Sequence, residues 1–517
     1  MLKNILTVGS WTMLSRLLGL VRDQLLAAFL GAGSLQDAYQ VAFRLPNMFR
    51  NLFGEGAFNA AFVPLFTTTL TKKNQQEAQR FANEAFSVLI TLLVIITILA
   101  EIFMPEIVRV IAPGFTVDKA RYDEAVALSR ITFPYMVLIC AAALVAGVLN
   151  SLHRFGVAAA AYVSFNVVGI AALLWLTPFM PNAAWAAAWG VTLSGFVQLG
   201  ILLFAAHKAG MRIRICFPKL TNDIRQLFRK MAPGIVGSGI TQINLTISTI
   251  IATLLPAGSV SVMYFADRIN QLPLGVLGAA AGTTLLPILT KALHNKDPNA
   301  AFDAQNKALD YSLLLTLPAA FGLFSIATPI ISTLFEHGAF TVKDVYYSAQ
   351  SLQMYSIGLP AFVLIKVLSP GFFARGDTTT PVKIGIFTIF LNLILNLIFM
   401  KPLAHMGPPL ANSLAAITNV IILAVVLYKR DALSVPFSLL KRIAAMTVAS
   451  LLMCVVLMSV MHLCFVEIPE QNILYRLFSV ILLTSLGGLL YGIILHIFGV
   501  INFLQFFAKV TKRILKK

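Results

Sequence analysis

The sequence predicts an all-α, polytopic membrane protein with about fourteen transmembrane helices. Of its 517 residues, 58% are hydrophobic and 12% are charged, whereas soluble globular chains carry roughly 25% charged residues. Apolar stretches of roughly 17 or more residues recur along the chain, and each is long enough to cross a hydrocarbon core of about 30 Å as a helix. No connecting segment is large enough to form a soluble domain.

The predicted spans follow one another along the whole chain with short polar connections. The first span is not followed by the small-residue cleavage site of a secretory signal, so it is predicted to be a retained helix. The spans cover residues 5–30, 35–69, 85–105, 124–149, 157–177, 184–206, 232–255, 261–290, 309–335, 345–373, 382–400, 409–428, 441–463 and 473–499.

The distribution of lysine and arginine between the spans predicts the orientation of the chain. One alternating set of loops and ends holds 26 basic residues, and the other set holds six. Because basic side chains are retained on the cytoplasmic side during insertion, both termini are predicted to be cytoplasmic. The net charge of +18 therefore reflects topology, and nucleic-acid binding, which needs a basic soluble surface, is not predicted.

An internal repeat relates the two halves of the chain. Pro105–Val117 and Pro329–Val342 both begin with proline and end in Phe-Thr-Val, and the next proline in the following span lies 17 or 18 residues later. The offset of about 225 residues contains six spans, an even number, so both copies have the same orientation, as in transporters with a central cavity. The predicted domains are an N-terminal lobe (1–220, helices 1–6), a C-terminal lobe (221–430, helices 7–12) and a segment with two additional helices and a basic tail (431–517).

Motifs that are typical of enzymes and metal sites are absent from the sequence. The four cysteines are far apart and show neither a disulfide framework nor a zinc spacing. No glycine-rich phosphate loop, no His-Glu-x-x-His and no Gly-x-Ser-x-Gly pattern occurs. The sequence therefore predicts a protein that is not an enzyme and has no bound cofactor.

Seven basic residues inside the predicted spans are the basis of the functional prediction. A charge at mid-membrane costs at least about 2.5–3.5 kcal/mol on insertion scales, so such residues line a wet cavity or pair with one another. The seven are Arg16, Arg22, Arg44, Arg50, Arg130, Arg268 and Lys366.

Four of these arginines predict a binding site for an anion, because guanidinium groups match phosphate oxygens and the nearby carboxylates are too few to neutralise them. The four are Arg16, Arg22, Arg50 and Arg268, and the accompanying acids are Asp37, Glu55 and Asp267. In the alternative, which stays open, ion pairs such as Arg22 with Asp23 only hold helices together. For Arg44 and Arg130, a structural or interfacial role is the favoured interpretation.

Three further positions leave two interpretations open. Gly54-Glu55-Gly56 predicts a bend in the second span, either with a ligand contact through Glu55 or as a simple bend. Lys366, which a Ser-Pro-Gly sequence follows at 369–371, either presents a cation to the cavity or extends to the membrane interface. Asp377 lies in a turn between spans, where a helix cap is favoured over a cation ligand.

Several motifs in the correct order resemble the MurJ (MviN) family of lipid II flippases. They are SRLLGLVRD at 15–23, DA at 37–38, LPN at 45–47, EGAF at 55–58, YFADR at 264–268, QLPLG at 271–275, PGFFAR at 370–375 and TPVK at 380–383. The resemblance covers essentially the whole chain. It implies the fold of the multidrug, oligosaccharidyl-lipid and polysaccharide exporter superfamily, with two six-helix lobes around a central cavity and two helices that shape a lipid groove.

The resemblance also implies an activity, namely alternating-access transfer of lipid II across the bacterial cytoplasmic membrane. Lipid II, membrane lipids and cell-wall synthesis or division proteins are the implied partners, and a sodium ion, a proton or the membrane potential stays open as the driving force. Asp377 would correspond to one sodium ligand of the family, whereas span seven contains no carboxylate. The implied cavity arginines are Arg16, Arg22, Arg50 and Arg268, with Asp37, Glu55 and Asp267 as accompanying acids.

Two other functions remain alternatives. One is export of polysaccharide units or drugs within the same superfamily, although a drug cation would require an acidic or aromatic cavity. The other is an intramembrane polyprenyl-phosphate transferase, which would require paired carboxylates or a histidine near the phosphate and a sizeable loop for the donor. The arginine-rich spans and short loops favour the flippase.

Overall fold

The computed structural model describes residues 2–51, 57–295, 297–464 and 471–500. Within these residues the regular structure is helical and contains no strand. The predicted all-α class is therefore confirmed.

The first ten α-helices follow one another with short connections. Their order begins with a long helix, continues with two shorter helices that correspond to the long second span, and later includes one helix of only eight residues between longer ones. They are α1 (Leu2–Leu30), α2 (Ser34–Phe49), α3 (Ala57–Lys72), α4 (Gln75–Ile102), α5 (Met104–Ile111), α6 (Lys119–Thr132), α7 (Tyr135–Ser151), α8 (Phe155–Trp175), α9 (Ala183–Lys208) and α10 (Asn222–Thr253).

Eight further helices complete the chain. Two of them, α17 and α18, correspond to the predicted additional spans thirteen and fourteen. The eight are α11 (Ser259–His294), α12 (Pro298–Ser325), α13 (Ala327–Phe335), α14 (Val342–Phe373), α15 (Thr379–Leu403), α16 (Gly407–Lys429), α17 (Phe437–Cys464) and α18 (Ile473–Ile497).

The lengths and compositions of the helices agree with a multi-pass membrane protein. Among the described residues, nine segments are long and apolar enough to cross a membrane, and one of them, Thr379–Lys429, contains two predicted spans. Ten of the fourteen predicted spans therefore overlap these segments. The other four, at 5–30, 35–69, 232–255 and 261–290, are also helical where the structure describes them, and the first, second and eighth contain the charged residues that motivate the functional prediction.

Small residues allow the helices of the first compact unit, the chain up to Ser261 with His337–Phe340, to approach closely. A Cβ atom added to Gly190 of α9 would lie 2.8 Å from the Cβ of Ala172 on α8. Between helices in lipid, such close packing replaces the hydrophobic driving force that acts in water. The contact between α8 and α9 therefore depends on residues without bulky side chains.

The second compact unit, formed by the remainder of the chain, includes the two additional helices. Arg442 of α17 pairs with Asp310 of α12, with 2.9 Å between Nη2 and Oδ2. Arg476 of α18 pairs with Glu336, which follows α13, with 3.0 Å between Nη2 and Oε1. Ion pairs thus attach both helices to their own unit.

The predicted repeat is visible in the order of elements within each unit. In both copies a long helix is followed by a short helix of eight or nine residues and then by a helix with a side-chain cap. Asp118 caps α6 by accepting hydrogen bonds from two backbone N–H groups. Thr341 and Asp344 form a reciprocal capping box at the start of α14. The lobe boundaries predicted at residues 220 and 430 stay predictions.

Candidate functional site

Arg16 lies in a cleft of about 420 Å³ within the first unit. The side chain is exposed and makes no hydrogen bond or ion pair with any residue that the structure describes. Trp11, Asn150 and Tyr162 also line this cleft, and most of its surface is apolar. The cleft therefore presents a positive charge without a carboxylate beside it.

The cleft exists because α1 and α8 run side by side with small residues between them. Asn166 of α8 donates through Nδ2 to the backbone oxygen of Ser15 at 2.9 Å and to its hydroxyl at 3.2 Å. This contact places the preceding turns of α8, which carry Tyr162 and Ala158, beside Arg16. Alanine at 158 and 159 leaves the volume that longer side chains would fill.

Arg22, six residues further along α1, has a closed environment. It is only 7% exposed, and its Nη2 lies 2.9 Å from the carboxylate of the buried Asp23. Its Cζ lies 5.0 Å from the ring centre of Phe165, and a Cβ on Gly169 would approach its Cδ to 3.1 Å. The predicted ion pair with Asp23 is therefore present, and the predicted substrate contact of Arg22 stays a prediction.

Asp37 is fully buried near the start of α2, where its carboxylate is surrounded by donors. It accepts hydrogen bonds from the backbone N–H of Gly258 at 2.7 Å and from that of Ser261 at 2.8 Å. The hydroxyl of Ser261 and the guanidinium of Arg121 also donate to it. Because Ser259 begins α11, the Asp37 carboxylate caps the N-terminus of that helix, where N–H groups without a helical partner favour an anion.

Arg121 is a partner of Asp37 that sequence reasoning missed. The predicted fourth span begins at residue 124, but α6 begins at Lys119, so Arg121 lies inside a helix and not in a loop. It is 7% exposed, and its Cζ lies 3.7 Å from the ring centre of Phe115. The capping residue Asp118, which begins the helix earlier, is the signal that could have revealed it.

Arg50 follows the last residue of α2 and is partly buried. Its Nε donates to the side-chain oxygen of Asn47, one turn earlier, at 2.9 Å. Glu55, the predicted acidic member of the site between α2 and α3, lies outside the described residues, so its predicted role is unchanged.

In the second unit, Asp267 and Arg268 lie on α11 and are both partly buried. Gln271 donates through Nε2 to Asp267 at 3.3 Å, one turn further along the helix. Lys366 on α14 is exposed and makes no hydrogen bond or ion pair within the described part of the chain. The second unit therefore also presents a cation that no described carboxylate neutralises.

Asp377 lies between α14 and α15 and has the contacts of a helix cap. Its carboxylate accepts from the backbone N–H groups of Thr379 and Thr380, at 3.0 and 2.9 Å, and from the Thr380 hydroxyl at 2.6 Å. Arg430 adds an ion pair at 2.6 Å. The hydrogen bonds from Thr380, followed by that from Arg430, hold the pKa of Asp377 well below its usual range. Among the described residues, no group of three His, Cys, Asp or Glu side chains forms a metal site.

The fold and these side chains together define a class of protein. The chain is a multi-pass α-helical membrane protein, and each of its two units holds a cation inside a predicted span without a described carboxylate. Cations at this depth line the substrate pathways of membrane transporters. The class is therefore a membrane transporter.

Comparison with known proteins identifies the family. Residues 26–484 match the family model described as "Lipid II flippase MurJ". A probable lipid II flippase MurJ of Rhizobium tropici is 40% identical over 466 residues, which are 89% of this chain and 87% of the relative. The chain therefore belongs to the MurJ lipid II flippase family.

Solved structures agree with this assignment. A structure described as "Lipid II flippase MurJ, inward closed conformation" superposes with a TM-score of 0.79 at 26% identity and covers 95% of this chain and 98% of that chain. A structure described as the inward-facing conformation of a multidrug resistance MATE family transporter of the MOP superfamily has a TM-score of 0.68 at 16% identity, with 80% of this chain and 95% of that one covered. The second likeness shows a shared fold.

Proposed function

We propose that this protein moves lipid II, a polyprenyl-pyrophosphate-linked cell-wall precursor, from the inner to the outer leaflet of the bacterial cytoplasmic membrane. The observation on which the proposal rests is Arg16, a guanidinium inside a predicted span that has no partner among the described residues and lies in an open cleft. An uncompensated charge at this depth costs several kcal/mol, on the order of 2.5–3.5. A bound pyrophosphate supplies the missing negative charge.

The chemistry of the cleft fits both parts of such a head group. Arg16 offers a planar donor fork for phosphate oxygens. Trp11 and Tyr162 add aromatic surface, and Asn150 adds an amide, for the uncharged sugar next to the pyrophosphate. We assign Arg22, Arg50 and Arg268, with Asp37, Glu55 and Asp267, to the same pathway, and Lys366 to its second half.

The transport cycle that we propose is alternating access without covalent chemistry, so the protein is not an enzyme. The head group crosses through the protein while the polyprenyl tail stays in lipid. A sodium ion, a proton or the membrane potential drives the cycle. Membrane lipids and cell-wall synthesis or division proteins are the further proposed partners.

The direct test is transport by the purified full-length protein in proteoliposomes. Fluorescent lipid II is placed in the inner leaflet, and its appearance outside is followed with a membrane-impermeant quencher. We expect transfer that empty liposomes lack and that a neutral lipid of the same chain length does not show. Equal transfer of the neutral lipid would contradict recognition of the pyrophosphate, and no transfer under any ion gradient or membrane potential would contradict the flippase.

The proposed topology can be tested with the natural cysteines. Cys140 and Cys454 are buried, whereas Cys464, at the outer end of α17, and Cys216, in a cytoplasmic loop, are exposed. An impermeant maleimide added to intact spheroplasts should therefore label the wild-type chain and Cys216→Ser equally, but not Cys464→Ser. After permeabilisation, Cys464→Ser should be labelled through Cys216. Labelling of Cys464→Ser in intact spheroplasts would contradict the topology.

A further inference from the structure

Residues 210–221, which form neither helix nor strand, lie between α9 and α10, and we call this segment the strap. Gly210 follows α9 with a φ of +81°, and the N–H of Met211 bonds to the oxygen of Ala206 at 2.9 Å. Helices commonly end with a glycine in this left-handed conformation, which turns the chain away from the helix axis. The strap then runs along the surface of α4.

Four polar side chains of α4 hold the backbone of the strap. Gln75 and Gln79 donate through their side-chain nitrogens to the backbone oxygens of Gly210 and Arg212, at 3.2 and 3.3 Å. Asn83 and Ser87 accept from the backbone N–H groups of Arg214 and Cys216, at 3.0 and 2.8 Å. The hydrogen-bonded residues are therefore four positions apart along α4 and two positions apart along the strap.

The distances between successive hydrogen-bonded residues are similar along the two segments. Four residues of an α-helix rise about 6 Å, and two residues of an extended chain span about 6.6 Å. The hydrogen bonds of the strap can therefore repeat four times without strain. Met211 and Ile213 pack against the core of the unit, which leaves Arg212 and Arg214 exposed.

The ladder also sets the depth of the strap relative to the membrane. The third predicted span begins at residue 85, so Cys216, which bonds to Ser87, is level with the membrane boundary. Ile215 and Phe217 beside it are 71% and 80% exposed, although they lie outside every predicted span. Arg214 and Arg212 lie one and two rungs further toward the cytoplasm.

Basic and apolar groups continue beyond the ladder. Lys219 is exposed, and Leu220 is 62% exposed. A cleft of about 630 Å³ opens between α4 and the strap, with Lys219 and Phe217 in its lining beside Arg80, which pairs with Glu84 at 3.0 Å. The strap therefore places cations beside exposed apolar side chains, the arrangement that binds an anionic membrane surface.

We propose that the strap binds the anionic phospholipids of the cytoplasmic leaflet. The lipid phosphates contact Arg212, Arg214 and Lys219. The side chains of Ile215, Phe217 and Leu220 enter the boundary between the lipid head groups and the acyl chains. A soluble protein partner would not account for the exposed apolar side chains of Ile215, Phe217 and Leu220 at the level of the membrane. The proposal depends on the predicted topology, which the cysteine labelling tests separately, and it is independent of the transported substrate.

The test uses the full-length protein in nanodiscs, with an environment-sensitive fluorophore on Ile215→Cys in a Cys216→Ser, Cys464→Ser background. Serine preserves the fourth rung, because Cys216 bonds through its backbone N–H, and the two remaining cysteines are buried. Quenching by lipids with a spin label high in the acyl chain is measured while phosphatidylglycerol replaces phosphatidylcholine. We expect quenching to rise with the anionic fraction and to fall when salt is raised.

Variants with neutral side chains distinguish lipid binding by the strap from an effect of the protein's net charge. Arg212→Gln, Arg214→Gln and Lys219→Gln together should remove most of the rise in quenching with the anionic fraction, because each cation contributes roughly fivefold to the attraction to an anionic surface. The matched control, Lys72→Gln, Lys73→Gln and Arg154→Gln, removes the same charge from exposed residues elsewhere on the predicted cytoplasmic side and should cause little change.

Three results would overturn the proposal. They are quenching that does not depend on the anionic fraction, a probe that stays in water at every composition, and an equal loss in the control variant. Because all six substituted side chains are exposed, their replacement should not unfold the protein, and a thermal unfolding midpoint verifies this for each sample.

Discussion

Replacement of Arg16 by alanine is expected to abolish most lipid II transfer while the folded protein remains abundant. Arg16 is exposed, and among the described residues it has no carboxylate partner, so its removal leaves no uncompensated charge. A charge-assisted hydrogen bond to a phosphate is worth about 1.5–3 kcal/mol, which corresponds to a loss of roughly tenfold to more than a hundredfold. Arg16→Lys should also impair transfer, because an ammonium cannot form the bidentate contact.

The measurement combines the proteoliposome transfer rate with the amount of folded protein in the membrane. Arg154→Ala is the matched control, since Arg154 is an exposed arginine in a predicted cytoplasmic loop. It should transfer lipid II at the normal rate. If Arg16→Ala is folded and transfers lipid II as fast as the wild type, the cleft is not the substrate site, and the structural basis of the proposed function is lost.

Replacement of Asp37 by alanine is expected to destabilise the protein itself. The substitution leaves Arg121 buried without its counter-ion and frees two backbone N–H groups at the start of α11. Loss of one partner from a buried ion pair typically costs about 3–5 kcal/mol. The expected result is a lower thermal unfolding midpoint in detergent and a reduced amount of protein in the membrane.

A double-mutant comparison identifies the cause. Arg121→Leu combined with Asp37→Leu should be less unstable than the sum of the two single variants, because the two charges are removed together. Asp123→Asn removes an exposed carboxylate from the same helix as Arg121 and should have little effect. Normal stability of Asp37→Ala together with lost transport would instead support the substrate-binding role that the sequence predicts for Asp37.

The sequence determined the membrane architecture and the approximate positions of the long apolar helices. Hydropathy over about 20 residues reports local transfer from water to lipid, which does not depend on the neighbouring helices. The two additional helices, α17 and α18, follow from the same local signal. For this reason the predicted all-α, multi-pass fold agrees with the structure.

The tertiary structure alone decided the environment of each charge. Arg16 and Arg22 are both arginines within one predicted span, six residues apart. Phe165 and Gly169 of α8 enclose only Arg22. Asp37 meets Arg121 across 84 positions and Ser261 across 224. Side-chain charge can be read from the chain, whereas desolvation and pairing depend on which distant helices pack together, and no local pattern contains that information.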